Sequence, residues 1–66
     1  MPPKASIVMP VHNVAAYVAE SIASVQAQTF ESWELIVVED GSTDGTERIV
    51  QVLANTDPRI RLFSQR

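Results

Sequence analysis

The chain has 66 residues, 45% of them hydrophobic and 20% charged, with a formal net charge of −3 and no cysteine. That is one small globular unit at a length where core burial is marginal, with neither a disulfide framework nor thiol chemistry available. Its 5 basic residues form no clustered face of the kind nucleic acid requires, and no apolar run approaches the roughly 20 residues of a membrane span.

Met1-Pro2-Pro3-Lys4 leads into a short strand and not into the apolar region of a signal peptide. The expectation is a soluble, cytoplasmic chain, with membrane association of a parent protein left open. Ala5 to Met9 is apolar and partly β-branched, a strand that proline at position 10 should end. Val14, Tyr17, Val18, Ile22 and Val25 then recur at spacings of three and four, which predicts an amphipathic helix over about 14–27. Asn13 stands where an N-cap would. Tyr17 and, further on, Trp33 sit in these patterns as packing residues.

Trp33 to Glu39 predicts a second strand whose Leu35–Val38 run lacks alternation, so both faces expect cover. Asp44 and Glu47 have capping-box spacing for a second helix, which would turn Ile49, Val50, Val52 and Leu53 inward. Ile60 to Phe63 predicts a third strand, with Arg59 and Arg61 as solvated flanks.

Strand, helix, strand, helix, strand implies parallel pairing with right-handed crossovers, and so a sheet order of 3-2-1. The fold class expected is α/β, a Rossmann-like half of a three-layer, doubly wound sheet. Residues 1–66 would then be the N-terminal part of a larger domain, because nothing in them covers the second face of the sheet. Such an open face invites self-association.

Ligands of open parallel sheets bind beyond the carboxyl ends of the strands. Two polar segments fall there: Pro10-Val11-His12-Asn13, and Glu39-Asp40-Gly41-Ser42-Thr43-Asp44-Gly45. A carboxylate at a strand end accepts from a base N–H or ribose hydroxyls, and amides of a glycine-containing loop receive an anion. Neither G-x-G-x-x-G nor G-x-x-x-x-G-K-[ST] occurs, which argues against dinucleotide oxidoreductases and P-loop hydrolases. Asp40, Ser42, Asp44 and Gly45 fall on calcium-loop positions. The required glutamate is Gln51, however, and a strand precedes the loop, so calcium is set aside.

Ser-Ile-Val-Met-Pro-Val-His-Asn, then Ser-Ile-Ala-Ser-Val-Gln-Ala-Gln-Thr-Phe, then Trp-Glu-Leu-Ile-Val-Val-Glu-Asp-Gly-Ser-Thr-Asp-Gly-Thr resemble the start of family 2 glycosyltransferases with the glycosyltransferase A fold. The resemblance extends over residues 5–66. It implies that Pro10 and His12 line a base pocket, His12 standing where the family often has tyrosine, and that Asn13 lies beside the nucleotide. Asp40 matches the second acid of the family's Asp-Asp-Gly-Ser motif and would bind uracil or another base. Glu39 replaces the first acid, which leaves its contact open.

The resemblance further implies an inverting parent enzyme that uses a nucleotide-diphosphate sugar, expected to be a UDP-sugar, and a sugar or lipid-linked acceptor. Its Mg2+ or Mn2+ ligands (an Asp-x-Asp motif) and its catalytic base are expected beyond this chain. No catalytic or metal-binding residue is therefore assigned within residues 1–66, and the chain alone is expected to be inactive. The alternative function is a non-catalytic α/β assembly module that binds no nucleotide.

Overall fold

A computed structural model describes residues 5–28 and 32–65. Strand β1 (Ala5–Val11), helix α1 (Val18–Gln28), strand β2 (Trp33–Asp40), helix α2 (Thr46–Thr56) and strand β3 (Ile60–Gln65) alternate as expected. The three strands form one parallel sheet with β2 in the middle, which is the 3-2-1 order.

Beyond the longer carboxyl ends of β2 and β3, two boundaries differ from the sequence reading in ways that shape the rim. Pro10 does not end β1: the strand runs through it to Val11, paired with Glu39. A proline is tolerated because β1 has a neighbour on one side only among the described residues, so its ring nitrogen need not cost a ladder bond. Residues 14–17 do not join α1 but form a separate turn. The amides of Tyr17 and Val18 donate to the Val14 carbonyl at 2.9 and 2.8 Å before the regular helix begins. Tyr17 consequently points away from the core and is 68% exposed, whereas Val18 and Ile22 carry the helical spacing inward.

The core is a single cluster in which Val11, Trp33, Leu35, Val37 and Ile60 of the sheet meet Val18, Ile22 and Val50 of the helices. Along β2, Trp33, Leu35, Val37 and Glu39 are buried while Glu34, Ile36 and Val38 are only half-buried. Both helices therefore lie on one face, as right-handed crossovers between adjacent strands require. On the other face the register aligns Val8, Ile36 and Arg61, then Pro10, Val38 and Phe63. Val8 and Phe63 remain 63% and 47% exposed there.

The turn from α2 into β3 is closed by an ionic network. The Asp57 carboxylate accepts from Nε and a terminal nitrogen of Arg59, each at 3.0 Å, and from Gln26 Nε2 at 2.9 Å. The Arg59 guanidinium also lies 4.1 Å from the centre of the Trp33 ring. Arg59 is thus a structural clamp and not the solvated flank expected of it. The network sits where β2 and β3 begin, at the end of the sheet opposite the two polar loops.

Candidate functional site

The loops after β1 and β2 meet at the carboxyl rim of the sheet. The second is built around Glu39, whose side chain the pleat turns to the helix side, where it is 1% exposed. Its Oε1 accepts the Ser42 amide at 2.5 Å, folding the chain back over the strand end. Gly41 (φ 65°) takes a left-handed conformation that suits glycine. Asp40, one residue on, falls on the opposite side of the pleat and is exposed. The two adjacent acids therefore differ in role: Glu39 holds the loop, and Asp40 presents its carboxylate at the rim.

His12 lies against this loop. Its Nδ1 is 2.6 Å from the Asp40 carbonyl oxygen, which only accepts, so Nδ1 carries the proton and donates. Its Nε2 then accepts from Asn13 Nδ2 at 3.3 Å. The partners on the two ring nitrogens thus specify one neutral tautomer.

Asn13 has φ 51°, left-handed backbone that asparagine adopts more readily than most residues. It is not the helix cap expected from its position. Its amide donates to Ser42 Oγ at 2.9 Å, and its side-chain oxygen accepts the Thr43 amide at 2.8 Å. Asn13 is a cross-link between loops.

The next donors are captured from the second loop as well. The Val14 amide donates to Thr46 Oγ1 at 2.9 Å, and the Ala15 amide donates to Asp44 Oδ2 at 3.0 Å. Asp44 Oδ1 accepts the Thr46 amide and hydroxyl at 3.1 and 2.5 Å. The Thr46 hydroxyl, followed by the Ala15 amide, holds the Asp44 carboxyl below its ordinary value of 3.8. Gly45, at φ 93°, precedes α2 and makes no side-chain cap, so the expected box of Asp44 with Glu47 does not form. The Glu47 carboxylate instead accepts the Ser64 hydroxyl of β3.

Of the four residues singled out from sequence, His12, Asn13 and Asp40 come together at this rim. Pro10 lies exposed on β1, beside Val38 and toward the sheet face that the helices leave open. Sequence reasoning missed Ser42, Thr43 and Thr46 as the partners that join the loops. The available signal was the density of hydroxyl and carboxylate side chains from Ser42 to Thr46, since each of them competes for backbone donors.

Among the described residues no three His, Asp or Glu side chains gather as a ligand set. Both oxygens of Asp44 already accept amide hydrogens. Among the described residues, too, no helix is long and apolar enough to cross a membrane.

Residues 6–66 match the family model "Glycosyl transferase family 2". The chain belongs to glycosyl transferase family 2. It is 43% identical over 65 residues to EpsE of Bacillus subtilis (strain 168), a glycosyltransferase by name alone, covering 97% of this chain and 23% of EpsE. It is 39% identical over 61 residues to the GalNAc(5)-diNAcBac-PP-undecaprenol beta-1,3-glucosyltransferase of Campylobacter jejuni, covering 92% of this chain and 20% of that enzyme. An uncharacterized glycosyltransferase of Rickettsia prowazekii is 53% identical over 47 residues, 71% of this chain and 15% of that protein. This family 2 chain thus spans about a fifth of the length of the curated relatives it matches.

Proposed function

We propose that residues 1–66 form the nucleotide side of the donor site in a glycosyltransferase that transfers sugar from a nucleotide-diphosphate sugar, with UDP as the nucleotide. One observation carries the reading: the His12 ring is locked onto the Asp40 carbonyl while the Asp40 carboxylate engages no donor among the described residues. An ionised acceptor held beside a flat ring is matched to a base that offers an N–H and a stacking face. His12 supplies the ring surface, Asp40 the acceptor and Asn13 the link that keeps them in place, while Pro10 offers apolar surface on the neighbouring open face of the sheet.

The reaction in this reading is a single inverting displacement. An acceptor hydroxyl, on a sugar or a lipid-linked sugar, forms its bond to the anomeric carbon as the bond to the diphosphate breaks. The general base that takes the hydroxyl proton and the Mg2+ or Mn2+ ligands belong to residues other than these. The contribution of this chain is to bind and orient the nucleotide.

Calorimetric titration of UDP, with and without manganese, into the longest natural polypeptide that carries this chain tests the reading. Asp40→Ala is expected to weaken binding about tenfold or more, the cost of one charge-assisted hydrogen bond. No UDP binding by the wild type, or an unchanged affinity in the variant, overturns it.

The exposed Val8 and Phe63 favour a second reading, in which the isolated chain self-associates through its open sheet face as an assembly module. Sedimentation velocity on residues 1–66 is expected to show oligomers that Val8→Lys with Phe63→Lys dissociates. A monodisperse wild-type monomer removes this reading.

A further inference from the structure

Two successive amides of the first loop, Val14 and Ala15, end on side chains of the second loop that lie some thirty positions away in sequence. They do so through one short relay. The Val14 amide donates to Thr46 Oγ1, and the Thr46 hydroxyl donates to Asp44 Oδ1. Asp44 Oδ2 takes the Ala15 amide. The Thr46 hydroxyl has one hydrogen and uses it on Asp44, so its remaining acceptor capacity is what receives Val14.

Thr46 is fully buried although it is polar and stands at the start of α2. A buried hydroxyl is retained at low cost only when its hydrogen bonds are made, and here both are. Elsewhere the two loops are joined through exposed groups: His12 to the Asp40 carbonyl, and Asn13 to Ser42 and Thr43. Water competes for those bonds and is excluded from Thr46. Thr46 is therefore the buried anchor of the relay, whose Asp44 end is itself exposed, and the exposed bonds depend on Thr46 for their alignment.

We infer that Asp44 and Thr46 are positioning residues, which tether the chain after β1 so that His12 stays against Asp40 at the rim. The inference rests on the nucleotide-side reading for its functional consequence. Its structural content can be measured independently.

Thr46→Val keeps the shape of the side chain and removes the relay, and Thr46→Ser keeps the hydroxyl. Asp44→Asn alters an exposed group, and places an amide where the Ala15 N–H needs an acceptor. All three are made in the longest natural polypeptide that carries this chain. Hydrogen–deuterium exchange of the segment 12–17 and UDP affinity are then compared with wild type.

Thr46→Val and Asp44→Asn are expected to speed exchange in 12–17 and to raise the Kd for UDP about tenfold, the loss of one organising hydrogen bond. Thr46→Ser is expected to restore both. Wild-type exchange in 12–17 in the folded Thr46→Val and Asp44→Asn proteins overturns the tether. Faster exchange with unchanged UDP affinity overturns the positioning role. If Thr46→Val does not fold, Asp44→Asn decides both questions. Failure of wild type to bind UDP removes the nucleotide reading and the positioning role that rests on it, while exchange in 12–17 still decides the tether.

Discussion

Leu35→Ala is expected to abolish cooperative unfolding of the 66-residue chain, or to lower its stability by about 3 kcal/mol. Leu35 is fully buried in the middle of β2, the strand that pairs on both sides and carries the Glu39–Gly45 loop. Truncation removes buried methyl and methylene groups and leaves a cavity between sheet and helices. A domain of this length has only about 3–10 kcal/mol in total, so that loss is of the same order. Ile36→Ala, one residue along on the half-buried face, is expected to cost about 1 kcal/mol, because that side chain keeps part of its surface in water and leaves no closed cavity. Thermal unfolding followed by circular dichroism checks the pair. Equal losses at the two positions would show that both faces of β2 are covered, and the open-face description would be wrong.

The contrast between Leu35 and Ile36 also marks where the sequence stopped being legible. An unbroken apolar run predicts a central parallel strand, and β2 is one. The same run says nothing of which alternate residues the helices cover. Handedness supplies that, by placing both helices on one face. Element order and sheet order were readable because short apolar runs alternate with segments of helical period.

Caps were not readable in the same way. Asn13 and Asp44 were assigned local roles because their neighbours in sequence offered local partners. In the fold Asn13 takes the Thr43 amide of the other loop, and Asp44 adds the Ala15 amide of the other loop to its local donors on Thr46. Local spacing cannot show that two strand ends lie side by side, and that adjacency is what redirects these side chains. Tyr17 failed for a related reason, since the turn over 14–17 breaks the helical phase that its spacing assumed. Of the rim itself, the pairing of the two loops was legible from topology. The division of labour between Glu39 and Asp40 needed the pleat.

Acid is expected to weaken the fold through Asp57. Its carboxyl is held well below the ordinary 3.8, first by the Arg59 side chain and then by the Arg59 amide and Gln26, against a burial cost that acts the other way. In the window between the ordinary value and the depressed folded one, the unfolded chain binds a proton that the folded chain does not. Stability then rises with pH, and Asp57 contributes fully above the ordinary value and progressively less as pH falls through the window. Asp57→Asn keeps the size of the side chain and removes the charge. Its deficit is expected to be about 2 kcal/mol near neutral pH, moderated by the 41% exposure of the Arg59 side chain, and to shrink steadily below about pH 4. The measurement is the difference in urea unfolding free energy between wild type and Asp57→Asn from pH 7 to pH 2.5. A deficit independent of pH would assign the stability to packing, such as Arg59 over Trp33, and not to the ionised carboxylate. The clamp joins α1, α2 and the start of β3 at the end of the sheet far from His12 and Asp40. Its loss should therefore lower stability while leaving the UDP affinity of the folded fraction unchanged, which separates it from Asp44, where a similar carboxylate is tied to the rim.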